Sequence, residues 1–220
     1  MKTPIDRNSL KIRINDHMLP KGLPATETPN AALTAFRAAQ AIYEEFEQVR
    51  AAHGSNRNLS VEGAQAATRE WAKSKLANLE LSLRSLRGRA DLYEQARQRR
   101  AVEWLGPEPT EPADIALLTE IRSWVRSLPE KERAMKMLSV ASSGDKMALR
   151  AVLNAPSYLT GLDAEMMERI RDEMFRRADP VQHEKDITIV KALNVAERAV
   201  DGVLRFIDQE VGGVEEKEAA

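Results

Sequence analysis

Apolar residues in this chain recur at alternating steps of four and three, most cleanly in one stretch. Ala72, Leu76, Leu79, Leu83, Leu86, Ala90 and Tyr93 form a heptad seam on one long helix, and the seam demands a partner helix. The helix carrying it is predicted to begin at Ser60 and run to Leu105. At 1.5 Å per residue that is roughly 65–70 Å, longer than a compact domain needs. Gly88 is a place where it could loosen.

A preceding helix is marked by Leu33, Phe36, Ala39, Ile42, Phe46 and Val49. Thr28 or Asn30 is suited to cap its start and Gly54 to end it. The short polar turn Ser55 to Asn58 then implies an antiparallel hairpin. This first helix can cover only about half of the second. Another element must cover Leu83 to Tyr93. A matching four-three seam lies near the C-terminus, at Ile189, Leu193, Ala196, Val200, Val203 and Ile207, and is the natural cover, from the same chain or a neighbour.

Between the seams, Gly106, Pro107, Pro109 and Pro112 break the helical pattern. Shorter helices follow. Ile115, Leu118, Ile121 and Val125 mark one, and Ser127 with Glu130 reads as a capping box for the next. Asp145, Asp163 and Asp179 are placed to cap three more.

Residues 1–29 read as a flexible arm, because Pro4, Pro20, Pro24 and Pro29 oppose any long helix. Within it, Leu10, Ile12 and Ile14 alternate with polar residues as a strand would, so this piece is either a tail or a strand for a partner's sheet.

The expected architecture is therefore all-α: a long antiparallel helical hairpin with a heptad seam, a small helical middle domain and a long C-terminal helix. The divisions are 1–29 (arm), 30–105 (hairpin or coiled coil), 106–112 (Pro-rich linker), 113–179 (small helical domain), 180–211 (C-terminal helix) and 212–220 (acidic tail).

Composition agrees with a helical core: 43% of the 220 residues are hydrophobic, 30% charged and 5% aromatic. The formal net charge of -1 gives no global attraction for nucleic acid or an anionic membrane. The absence of cysteine rules out disulfides and thiolate chemistry. No apolar run reaches membrane-spanning length, and no apolar signal segment follows Lys2. These features predict a soluble, intracellular protein and are compatible with incorporation into a larger particle.

Local charge is uneven. From Arg69 to Arg100 the long helix carries nine bases against four acids, whereas Glu103 to Glu120 carries five acids and no base. A basic rod could grip phosphates, but its bases are interleaved with acids, and direct nucleic-acid contact is not favoured. The helix pair around Gly144 has helix-turn-helix spacing. Its second helix offers only Lys146 and Arg150 to a duplex.

Candidate chemistry is sparse. Asp179, His183 and Asp186 share a helical face, as a metal site or a tuned base would require. Capping explains Asp179, and the helix dipole explains Asp186. Glu165, Glu168 and Asp172 lack the Glu-x-x-His pairs of carboxylate-bridged metal bundles. No phosphate-binding or nucleophile motif is present. No catalytic residue, metal ligand or cofactor is expected, and the chain is read as a non-enzyme.

One stretch carries a resemblance. Gly144-Asp145, Ala151-Val152-Leu153-Asn154-Ala155-Pro156, Leu159-Thr160-Gly161-Leu162 and Arg177-Ala178-Asp179-Pro180 together resemble a pattern in uncharacterised helical proteins of tailed bacteriophages and prophages. It spans residues 128–180, about a quarter of the chain. The resemblance implies a phage-encoded virion or assembly component, located in the cytoplasm of a bacterial host or in the virion, and supplies no catalytic residues.

The expected function is a structural, assembly or interaction role through helix packing and the arm, with protein partners and self-association. The alternative is a nucleic-acid-associated regulator using the basic helix. The expected partner contacts are Leu76, Leu79, Leu83, Leu86 and Tyr93 of the seam, with Arg84, Arg87, Arg97 and Arg100.

Overall fold

A computed structural model describes residues 5–212. It contains nine α-helices and one 3-10 turn, with no strand among the described residues. The helices are α1 (Arg7–Arg13), α2 (Glu27–Ser55), α3 (Val61–Leu105), α4 (Pro112–Ser127), α5 (Glu130–Ser143), α6 (Lys146–Leu153), α7 (Ser157–Thr160), α8 (Ala164–Ala178) and α9 (Pro180–Gly212). The protein is thus all-α, as the periodicities require. No helix among the described residues is long and apolar enough to cross a membrane.

The chain divides into two units, Met1–Leu92 with Ile187–Ala220, and Tyr93–Asp186. The divisions fall inside the long helices α3 and α9 rather than in the Pro-rich stretch 106–112. Helix α3 is unbroken through Gly88.

The first unit is a three-helix bundle built on the two seams. Helix α2 runs antiparallel to α3: Glu27 pairs with Arg89 at 2.9 Å, Glu45 with Lys75 at 2.9 Å, and His53 Nδ1 meets Thr68 Oγ1 at 2.9 Å. Helix α9 also runs antiparallel to α3, with Arg87 on Glu197 at 2.8 Å and Arg69 Nε donating to the Val211 carbonyl at 3.1 Å. Phe46 and Tyr43 stack edge-on against Phe206, and Phe46 also meets Trp71. Leu79, Leu83 and Leu86 are buried, as are all six apolar positions of the C-terminal seam. Cover for the far half of the seam comes from the same chain: α2 reaches Arg89, and α9 lies alongside.

The N-terminal segment departs from expectation. Residues 7–13 form helix α1, not a strand or a free arm. Asp6 caps it, accepting from the backbone N–H groups of Asn8 and Ser9 at 3.0 Å each and from Ser9 Oγ at 2.6 Å. Leu10 and Ile14 are buried on one face while Ile12 stays exposed. Five residues of alternation cannot separate a strand from a helix in which i and i+4 share a face.

Three further contacts hold this segment to the bundle. Gln40 Nε2 donates to the Ile14 carbonyl at 2.5 Å, Arg7 pairs with Glu47 at 3.4 Å, and the Ile5 N–H donates to Gln209 Oε1 at 3.3 Å. Met1 to Pro4 and the acidic tail from Gly213 onward, with Glu215, Glu216 and Glu218, lie outside the described residues.

Two end assignments of α2 are also corrected. The helix begins at Glu27 with Thr26 at the cap, and runs through Gly54 to Ser55, with Asn56 as its C-cap.

The second unit packs the small helices around Val125, Met137, Leu149, Val152, Ile170 and Met174, all fully buried, with Leu105 from the end of α3. Asp145 and Asp163 cap α6 and α8 as expected, accepting from Ala148 at 3.0 Å and Met166 at 2.7 Å. The capping box before α5 does not form. Pro129 occupies the cap, and Ser127 Oγ donates back to the Trp124 carbonyl at 2.7 Å.

The orphan carbonyls at the end of α4 are satisfied by Arg133 instead. It donates to Val125 at 3.1 Å and to Arg126 and Leu128 at 3.0 Å each, and reaches the Gly161 carbonyl at 2.5 Å. Gly161 has φ +69°, a conformation that favours glycine, and a Cβ there would lie 2.4 Å from Arg133 Nη1, so a larger residue would be strained and would displace that guanidinium.

Candidate functional site

The densest polar cluster lies in the second unit. Three local patterns build it. Tyr93, Arg97, Arg100 and Trp104 follow at steps of four, three and four, so the last turns of α3 present them on one face. Asp179 caps α9, accepting from the Gln182 N–H at 2.9 Å, and the first turns of α9 carry Gln182, His183 and Asp186. Helix α8 contributes Glu168, Asp172 and Phe175.

Asp186 is the centre. It is 2% exposed. One carboxylate oxygen accepts from the Tyr93 hydroxyl at 2.7 Å and from Gln182 Nε2 at 2.8 Å. The other accepts from Arg100 Nη2 at 2.6 Å and lies 3.8 Å from Arg97 Nε.

Arg97 is buried too. It donates to Asp172 at 2.9 Å and Glu94 at 3.1 Å, and its guanidinium lies 5.1 Å from the centroid of the Phe175 ring. Burial disfavours its charge, but Glu94, Asp172 and Glu168 together outweigh that and hold its pKa above the ordinary value. Burial, aided by the bond to the Asp186 carboxylate, pushes the Tyr93 phenol up to about 12.

A cavity of about 130 Å³ adjoins the cluster, lined by Arg100, Trp104, Phe175, Gln182, His183 and Asp186. His183 is 7% exposed, and its Nδ1 has no hydrogen-bond partner. The space suits a few water-sized groups. Asp186 already accepts three hydrogen bonds, which leaves little of it open for general-base work. Among the described residues, no group of three or more His, Asp or Glu side chains is placed to hold a metal ion. The arrangement is a charge clamp: Asp186 and Arg97 tie the end of α3 to α8 and to the start of α9 within this unit.

The expected contact residues are distributed as follows. Leu79, Leu83 and Leu86 are filled by the first unit's own packing and offer nothing to a partner; Leu76 is half-buried there. Arg97 is likewise unavailable, and Tyr93 and Arg100 are committed to Asp186. Arg87 is held by Glu197 at the bundle surface. Arg84 stays largely exposed, with Glu80 at 3.7 Å. A seam predicts that something covers it, and a chain with two seams can supply its own cover.

The clamp went unrecognised in the sequence because its members lie up to 93 residues apart. The four-three-four spacing of Tyr93, Arg97, Arg100 and Trp104 was the available signal.

What the fold and this cluster define is a class, a two-unit all-α protein with a buried ionic clamp. Comparison with protein-family models, curated protein sequences and solved structures found no match.

Proposed function

We propose that the protein is a non-enzymatic interaction or assembly component working through helix faces, in a phage-related setting of bacterial cytoplasm or virion. One observation carries the reading. With the inner seams filled by the chain's own helices, each unit still presents large apolar side chains outward at helical spacing. In the first unit these are Leu81 and Leu92 of α3, each 62% exposed. In the second they are Leu117 and Trp124 of α4, about 40% exposed, a heptad apart and flanking half-buried Ile121. Exposed apolar residues in register on a helix are the usual material of helix–helix recognition.

The nucleic-acid alternative has less support. Arg87, Arg89, Arg97 and Arg100 all pair with carboxylates of this chain, which reduces the positive surface of α3.

Sedimentation velocity across a wide concentration range, with and without duplex DNA, tests the reading. Concentration-dependent association and no DNA binding at moderate salt are expected. A protein that stays monomeric and binds DNA with a steep salt dependence would replace this reading with the alternative.

A further inference from the structure

We infer that the outer face of α3 in the first unit is a self-association surface whose partner is the same face of a second copy, packed antiparallel. This inference rests on the interaction reading above and names the partner and the residues.

Leu81, Ser85, Gly88 and Leu92 follow at steps of four, three and four, which makes a second seam on α3. It points away from the buried positions Leu79, Leu83 and Leu86. Leu81 and Leu92 are exposed, and so are Ser85 and Gly88. The seam is symmetric about a point between Leu86 and Arg87. An antiparallel second copy therefore sets Leu81 against Leu92 and Ser85 against Gly88, and each contact occurs twice. That self-complementarity is what a two-fold interface requires.

Gly88 supplies an independent sign. Glycine in an exposed helix interior costs about 0.8–1 kcal/mol relative to alanine. Among the described residues, nothing beyond the adjoining backbone of α3 lies within 4 Å of a Cβ built at Gly88, so their packing gives no reason for the glycine. A second helix crossing there does, because Gly88 and Ser85 let two backbones approach closely.

Charge agrees. Arg84 and Asp91 occupy flanking positions that face each other across an antiparallel seam, so Arg84 of one copy meets Asp91 of the other, twice. Arg84 is 76% exposed and only loosely held by Glu80. Beside the seam, a groove of about 430 Å³ lined by Ala31, Ala35, Ala38, Leu81, Ser82 and Ser85 gives a second copy's leucine somewhere to seat. So short a seam lies at the small end of specific interfaces, and dissociation in the micromolar range is expected.

The experiment is sedimentation equilibrium of the full chain and five variants. Combined Leu81→Asp and Leu92→Asp should weaken the dimer about 100-fold or more while leaving the thermal melt of the monomer in place. Gly88→Gln, whose side chain meets open space in the single chain, should weaken it as well and serves if the double variant folds poorly. Arg84→Asp and Asp91→Arg should each weaken the dimer, and the two combined should restore it.

Association that persists unchanged in the leucine and glycine variants would overturn this face while leaving an assembly role intact. So would a charge-swapped double variant no better than either single one. A protein monomeric at every concentration would overturn the inference outright; loss of the assembly reading itself would need the DNA-binding result described above.

Discussion

At the residue scale, the clamp around Asp186 offers the sharpest expectations. Tyr93 holds its proton more tightly in the folded chain, with a pKa near 12 against an ordinary 10.0. Its contribution to stability is complete below pH 10 and is lost as pH rises through about 12, because the unfolded state releases that proton first. Tyr93→Phe should therefore flatten part of the alkaline stability loss in that window, read from denaturant midpoints at stepped pH. Tyr43 is also pushed up by burial, so some alkaline loss should persist. Asp186→Ala leaves the Tyr93 hydroxyl, the Gln182 amide and the Arg100 guanidinium short of an acceptor and removes the carboxylate 3.8 Å from Arg97 Nε. It should cost about 3–5 kcal/mol. Chemical denaturation that shifts no more for Asp186→Ala than for an exposed control would mean the clamp contributes little.

At the element scale, α1 shows how a few side chains place a short helix. Seven residues cannot hold a helix alone in water. Here the Asp6 cap supplies the start, and burial of Ile5, Leu10 and Ile14 supplies the docking. Gly202 of α9 provides the seat: a Cβ there would come within 3.0 Å of Leu10 Cδ1. Gly202→Ala should accordingly push α1 off its seat at a cost of about 1–3 kcal/mol. Trypsin should then cleave after Lys11 and Arg13 faster than in the parent protein. If cleavage is unchanged and stability rises, as helix propensity alone would have it, the close approach is not constraining.

At the scale of the whole molecule, the two units carry separate cores. Leu83 belongs to the first unit and Met137 to the second. Replacing either with alanine removes buried apolar volume, for about 2–5 kcal/mol each. With no shared partners, the two costs should add to within about 0.5 kcal/mol in the double variant, measured by denaturant unfolding. A larger departure would show that the cores are coupled through α3 or α9, the two helices common to both units.

The sequence by itself determined the helical class, the extent of α3, the starts of α6, α8 and α9, and both seams. These follow from local rules: a 3.6-residue period sorts apolar residues onto one face, and an Asp ahead of a helix satisfies free N–H groups wherever it occurs. Only the tertiary structure decided what each seam meets. Heptad spacing at Leu79, Leu83 and Leu86 is blind to whether the covering helix is α9 of the same chain or a neighbour. The same holds for Leu10 and Ile14, whose spacing suits a strand or a helix until Gly202 and Gln40 supply the surface. It holds again for Asp186: the helix dipole alone accounts for its local placement, and its role comes from Tyr93 and Arg100, which are close to it in space and far from it along the chain. Periodicity is a property of neighbours in sequence, whereas cover and charge pairing belong to neighbours in space.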